Sequence, residues 1–132
     1  MERLKERLPL ARHALASLQE LLAIEHPSPV ERDAAIQRFE YTFEACVKAA
    51  QRFLLLAEGI SVGSPKGCVR ASRDAGLFSD EQAVVGLEMV DDRNLTVHTY
   101  HERVAERIHR NLPRYAELLG HWLTAIQARI KS

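Results

Sequence analysis

The sequence has few cysteines and no excess of charge of either sign. Its two cysteines, Cys46 and Cys68, lie far apart and match no zinc or redox spacing, which argues against a disulfide scaffold or a paired-cysteine metal site. Lysine plus arginine and aspartate plus glutamate number 18 each, so no net field draws nucleic acid or an anionic membrane to the whole surface. Electrostatic binding must therefore depend on how the charges are distributed.

Long apolar runs are also missing. The longest apolar stretch, around FLLLA, is far too short to span a bilayer, so no membrane association is predicted. The N-terminal MERLKERLPLARH is charged from its second residue and lacks the apolar segment of a signal peptide. Since Cys46 also falls on an apolar helical stripe, both cysteines are interpreted as free thiols, and we expect a soluble cytoplasmic protein.

Helical periodicity is present along nearly the whole chain. Apolar residues between positions 4 and 22 recur at spacings of three and four, which predicts a first helix. A second helix is predicted from the N-cap Ser28, with Pro29 at its first position and Glu31 completing a capping box, to Gly59. No stretch alternates as a β-strand would for more than a few residues.

Three further helices follow. A short one is predicted to begin at Ser64 and to end at Gly76, and a fourth begins at a capping box formed by Ser79 and Gln82 and continues through Val84, Leu87 and Val90. The last helix follows Tyr100, with Pro113 expected to kink or divide it. We therefore predict an all-α fold, an antiparallel up-and-down bundle of about five helices, forming one domain over residues 1–132. The residues expected to be largely buried are Phe39, Phe43, Phe53, Leu87, Ile108, Leu119 and Trp122.

The stretch DDRNLTVHTY, residues 91–100, is the main candidate for chemistry. Arginine binds phosphate as a bidentate fork and histidine exchanges a proton near neutral pH, so Arg93 and His98 together could cleave RNA without a metal. On a continuous helix, however, the two point about 140° apart. They converge only if the helix loosens before His98, which the β-branched residues there favour, or if a second copy of the chain completes the site. The alternative is a solvated helix end with a boundary histidine.

Two other charged groupings need comparison with this stretch. His98, His101 and Asp91 form a loose set that matches no metal spacing, so neither a metal nor any other cofactor is predicted. A basic stripe recurs at steps of four, three and four on the last helix: Arg103, Arg107, Arg110 and Arg114. This basic stripe could follow an RNA backbone, or it could be a solvated face partly neutralised by a Glu106–Arg110 pair.

RNLTVHTY resembles the R-x4-H-x-Y motif of the HEPN superfamily, specifically the HepT-like proteins, also called nucleotidyltransferase substrate-binding proteins. The segments ERDAAIQRFEYTFEACVKAAQRFL, RASRDAGLFSDEQ and DDRNLTVHTYHERVAERI are similar to successive family blocks. The resemblance implies that Arg93 and His98 are the ribonuclease pair, that Asn94 supports them, and that Tyr100 is the acceptor for AMP. It also implies a homodimer whose two motif regions share a cleft.

Two functions remain open at this point. In the first, the chain is the toxin of a toxin–antitoxin pair, a metal-independent endoribonuclease that a small partner nucleotidyltransferase switches off by AMPylation. In the second, it is a non-catalytic substrate-binding subunit of a two-component nucleotidyltransferase. Both expect the partner enzyme, and only the first requires RNA as a ligand.

Overall fold

Five α-helices account for most of residues 2–130, the part of the chain that the computed structural model describes. They are α1 (Glu2–Leu22), α2 (Pro29–Glu58), α3 (Pro65–Asp74), α4 (Asp80–Asn94) and α5 (Glu102–Ile130). A 3₁₀ segment, Leu95–His98, lies between the last two helices. Within residues 2–130 there is no β-strand, so the predicted all-α up-and-down bundle of five helices is confirmed.

Local sequence signals set the ends of α2. The hydroxyl of Ser28 accepts a hydrogen bond from the backbone N–H of Glu31 (3.1 Å), and the carboxylate of Glu31 accepts one from the N–H of Ser28 (2.8 Å). These bonds satisfy donors that the first helical turn leaves free. Gly59 ends the helix in the left-handed conformation at φ 67°, where a residue without a Cβ is favoured.

Helix α5 passes through Pro113 without interruption, so the expected division of the last helix is wrong. Proline lacks the N–H that would bond to the carbonyl of His109, which normally weakens a helix at this point. The buried face of α5 nevertheless continues on both sides, through Leu112 before the proline and Tyr115 after it. Packing of α5 against α1, α2 and α4 supplies the support that the missing hydrogen bond does not.

One continuous core runs between the helices. Helices α1, α2 and α5 pack on one another, while α3 and α4 pack together and close the remaining side against α2 and α5. Of the residues predicted to be largely buried, all but one are, and these are Phe39, Phe43, Phe53, Ile108, Leu119 and Trp122. Both cysteines are free and buried, and this burial raises the pKa of each thiol to about 12.

Of the three apolar residues predicted for α4, only Val90 is buried. Leu87 is only partly buried and Val84 is 57% exposed, whereas Ala83 and Gly86 face inward. The reason is close packing on α3: a Cβ at Gly86 would lie 2.9 Å from a methyl group of Val69. The small residues therefore set the rotation of α4, while Met89 and Val90 at its C-terminal end remain buried. Among residues 2–130, no helix is both long and apolar enough to cross a membrane.

Candidate functional site

The candidate site lies where α4 ends. The helix stops at Asn94, and the next four residues form the 3₁₀ segment that leads to His98. The hydroxyl of Thr96 donates a hydrogen bond to the carbonyl oxygen of Arg93 at 2.7 Å, which gives that carbonyl a partner as the α-helical pattern ends. The helix thus changes its geometry before His98, as the β-branched residues of this stretch led us to expect.

Arg93 turns from the end of α4 toward α2. Its guanidinium lies over the ring of Phe43, with 5.7 Å to the centroid, and Nη2 is 4.0 Å from a carboxylate oxygen of Glu44. The side chain is 35% exposed, but its Nε is buried and has no hydrogen-bond partner. The exposed part of this arginine is therefore the rest of its guanidinium group.

His98 and Tyr100 lie together on the outer surface. Nδ1 of His98 is 3.1 Å from the hydroxyl oxygen of Tyr100, and the two rings meet edge to face at 5.8 Å. Tyr100 is 74% exposed. The phenol is therefore accessible to another protein, and a change at its oxygen would act directly on the imidazole.

Arg93 and His98 contact different parts of the molecule. Arg93 contacts α2, and the side-chain partner of His98 is Tyr100; among residues 2–130 no hydrogen bond joins the arginine to the histidine. Asn94 is exposed and, in the same part of the chain, makes no side-chain hydrogen bond. The change in helix geometry before His98 is present, and convergence of Arg93 with His98 stays a prediction.

Sequence reasoning missed the most highly connected residue of this region, Asp92. Its carboxylate is fully buried and accepts hydrogen bonds from three side chains of α5: Arg107 (2.8 Å), Asn111 (3.2 Å) and Tyr115 (2.6 Å). Burial and the neighbouring carboxylate raise the pKa of the Tyr115 phenol far above its ordinary value. We call these four residues the Asp92 network; it fixes the end of α4, immediately before Arg93, to α5.

The basic stripe on α5 is partly neutralised, though not in the way expected. Arg107 bonds to Asp92, and Arg114 bonds to Glu88 of α4 at 2.8 Å. Arg103 and Arg110 are exposed and form no ion pair within the described chain, and the expected Glu106–Arg110 pair is not observed there. Half of the basic stripe therefore serves to hold α4 against α5.

The candidate metal set is not assembled either. Asp91 forms an ion pair with Lys66 of α3 at 2.7 Å. In the part of the chain that the structure describes, no group of three or more histidine, cysteine, aspartate or glutamate side chains is arranged to hold a metal ion. The chemistry available at the end of α4 is thus that of a cation, an imidazole and a phenol.

The sequence of the chain matches a known protein family. The model of the nucleotidyltransferase substrate-binding protein-like family matches residues 6–128. This chain belongs to that family. The resemblance to the nucleotidyltransferase substrate-binding proteins is thereby confirmed. No curated protein matches the chain in sequence.

Several solved structures resemble the chain. A protein from Thermus thermophilus is 56% identical, with a TM-score of 0.86, over 89% of this chain and 98% of its own. HI0074 from Haemophilus influenzae, described as the fold of a substrate-binding domain of a nucleotidyltransferase, is 22% identical, with a TM-score of 0.78 over 91% of this chain and 98% of its own.

The third structure is a toxin–antitoxin complex with AMP-PNP. Its matching chain is 13% identical, with a TM-score of 0.69, and the match covers 93% of this chain and 96% of that one. At these identities the last two structures show the shared helical fold and not a shared activity.

Proposed function

We propose that this family member is a metal-independent endoribonuclease toxin, with Arg93 and His98 as its active pair and Tyr100 as its control point. The observation that carries the proposal is the exposed hydrogen bond between His98 and Tyr100. It puts a proton-transfer group and an accessible acceptor hydroxyl in direct contact. The proposed partner protein is a small nucleotidyltransferase, which would add AMP to Tyr100.

In the proposed reaction, His98 accepts the proton of a ribose 2′-hydroxyl. The 2′ oxygen then forms a bond to the adjacent phosphorus, the bond from phosphorus to the 5′ oxygen breaks, and the leaving oxygen takes up a proton. The products are a 2′,3′-cyclic phosphate and a free 5′-hydroxyl. Arg93 neutralises the charge that builds up on the phosphate through its guanidinium, since its side chain is 35% exposed.

A homodimer would bring Arg93 and His98 together. Arg93 contacts α2 and His98 is exposed, so in such a dimer Arg93 of one copy would act with His98 of the other. Val97, which lies between them in sequence, is 71% exposed and offers apolar surface for such a contact.

Control by AMP follows from the same contact. Attachment of AMP to the hydroxyl of Tyr100 would turn the partner of His98 Nδ1 into a phosphodiester. The new group would add negative charge and bulk where an RNA phosphate has to lie, so that repulsion and steric exclusion act in the same direction. Modification would therefore stop RNA cleavage without unfolding the bundle.

The second candidate function is a non-catalytic substrate-binding subunit of a nucleotidyltransferase. The family description favours it, and so does the absence of a hydrogen bond between Arg93 and His98 within residues 2–130. In this case the exposed end of α4 is a docking surface for the partner enzyme, and no RNA is cleaved.

The test is cleavage of single-stranded RNA by the purified chain in the presence of EDTA. We expect cleavage that leaves 2′,3′-cyclic phosphate ends and is lost in both His98→Ala and Arg93→Lys, since lysine lacks the bidentate fork. His13→Ala, which removes an exposed histidine of α1, is the matched control and should cleave normally. Cleavage that requires a metal would refute the mechanism, and no cleavage by the unmodified wild type would favour the binding subunit.

A further inference from the structure

The outer face of α2 carries a cleft that the proposed reaction leaves unexplained. It consists of two adjoining cavities of about 320 and 280 Å³, which share the side chains of Lys48 and Gln51. Gln51 donates a hydrogen bond to the carbonyl oxygen of Val62 at 3.1 Å, which holds the connection between α2 and α3 in place as one wall. We call the two cavities together the α2 cleft; it reaches from Arg7 of α1 to Arg93 at the end of α4.

The α2 cleft is strongly cationic although the chain as a whole has no net charge. Four basic side chains line it, and they are Arg7, Lys48, Arg52 and Arg93. Glu44 is the one carboxylate among the lining residues, and it lies at the Arg93 end. Within residues 2–130, none of Arg7, Lys48 and Arg52 forms an ion pair. Their charge is thus available to a ligand.

Unsatisfied hydrogen-bond donors lie in the same place. Among the described residues, two buried side-chain polar atoms have no hydrogen-bond partner: Nε of Arg52 and Nε of Arg93. The residue Arg52 lines the first cavity, and Arg93 lines the second. Buried polar groups are nearly always hydrogen-bonded, and an unpaired one indicates a missing acceptor. Both arginines therefore contribute their guanidinium groups to the lining of the α2 cleft.

We infer that the α2 cleft binds a chain of phosphate groups. Guanidinium and ammonium groups without carboxylate partners recognise phosphate oxygens, and guanidinium N–H groups bind them as charge-assisted hydrogen bonds. The lining residues of α2 run from Phe43 to Leu55; at 1.5 Å per residue this is about 18 Å, longer than one phosphate. The backbone of single-stranded RNA and the triphosphate of a free nucleotide both offer this chemistry.

Only the Arg93 end of the α2 cleft is connected with the proposed function. If Arg93 acts on RNA, the α2 cleft extends the binding surface away from the reacting phosphate; this part rests on the proposed function. The section that contains Arg7, Lys48 and Arg52 does not depend on it, because these residues take no part in the proposed reaction. Phosphate binding and RNA cleavage can therefore be tested separately.

The experiment measures binding of a fluorescein-labelled single-stranded RNA to the full-length chain in EDTA, with His98→Ala as the background so that the RNA stays intact. We expect Lys48→Gln and Arg52→Gln each to weaken binding at least about fivefold and to lower the slope of log affinity against log salt by about 0.7 per lost phosphate contact. Arg70→Gln, an exposed arginine of α3 that does not line the α2 cleft, should bind as the background does.

Competition identifies the source of the phosphates. Displacement of the RNA by ATP and by tripolyphosphate at equal concentrations would assign the α2 cleft to a free nucleotide, and displacement by unlabelled RNA alone would assign it to the RNA backbone. RNA and ATP affinities of Lys48→Gln and Arg52→Gln equal to that of Arg70→Gln would overturn the inference. Lys48 is exposed, so its variant decides the matter even if Arg52→Gln fails to fold. RNA binding by a wild-type chain that cleaves nothing would retain the α2 cleft and reject the ribonuclease.

Discussion

Removal of a single hydroxyl from the Asp92 network should destabilise the whole bundle. In Tyr115→Phe the ring keeps its place, 1% exposed and stacked on Phe39 at 5.7 Å between centroids, while the 2.6 Å hydrogen bond to Asp92 is lost. Asp92 is fully buried, so water cannot replace the missing donor. The variant therefore isolates one charge-assisted hydrogen bond and creates almost no cavity.

The expected loss of stability can be calculated from the energy of that hydrogen bond. A hydrogen bond to a charged group contributes about 1.5–3 kcal/mol, and we expect Tyr115→Phe to lower the free energy of unfolding by about 2 kcal/mol. Unfolding entropy is about 2.1 cal/mol/K per residue, or about 0.28 kcal/mol/K for this chain. The midpoint of thermal unfolding should then fall by about 7 °C. The loss corresponds to one complete hydrogen bond, because Arg107 and Asn111 are then the only side-chain donors left to Asp92 among the described residues.

Urea unfolding followed by circular dichroism provides the measurement, and the midpoint should move while the slope stays the same. Tyr41→Phe is the matched control: Tyr41 is 44% exposed and its hydroxyl has only a 3.4 Å contact with Ser17, so its loss should change stability by less than about 0.5 kcal/mol. A Tyr115→Phe variant as stable as Tyr41→Phe would refute the view that the phenol holds a buried carboxylate.

Three further outcomes are expected. Incubation with the partner nucleotidyltransferase, ATP and magnesium should add AMP to the wild type and none to Tyr100→Phe, as judged by intact mass; equal modification of both would remove the tyrosine from the proposed switch. Burial lowers the pKa of His109, so the folded state favours the neutral ring. The free energy of unfolding should therefore fall as the pH falls below about 6.5, and His109→Gln should lose less stability than the wild type between pH 7 and 5. Parallel curves of stability against pH for the two proteins would contradict this. Arg107→Gln should destabilise the bundle more than Arg110→Gln, because only the first removes a donor to the buried carboxylate, and equal losses in urea unfolding would argue against that contact.

The helix ends were predictable because their signals are local. The Ser28–Glu31 and Ser79–Gln82 capping boxes each lie within four residues, and both form as expected. The rotation of α4 was not predictable from its own periodicity. It depends on how closely Gly86 approaches Val69 of another helix, which no pattern within α4 reports.

The surroundings of the candidate site escaped prediction for the same reason. Asp92 was interpreted as part of a solvated helix end, and Arg107 as part of the basic stripe. A weak signal did exist, since Arg107, Asn111 and Tyr115 recur at steps of four and place three donors on one face of α5. The matching acceptor lies on a different helix. Likewise, nothing near Arg93 in sequence indicates that Glu44, in the middle of α2, is its partner.

The central claim is that Arg93 of one copy acts with His98 of another, and mixing two inactive variants tests it most directly. Arg93→Ala and His98→Ala chains are combined, denatured and refolded together, and RNA cleavage is measured against each variant alone. Random pairing of two-fold symmetric dimers restores one intact site in half of the dimers, so we expect about a quarter of wild-type activity. A mixture as inactive as the separate variants would contradict a site shared between two copies.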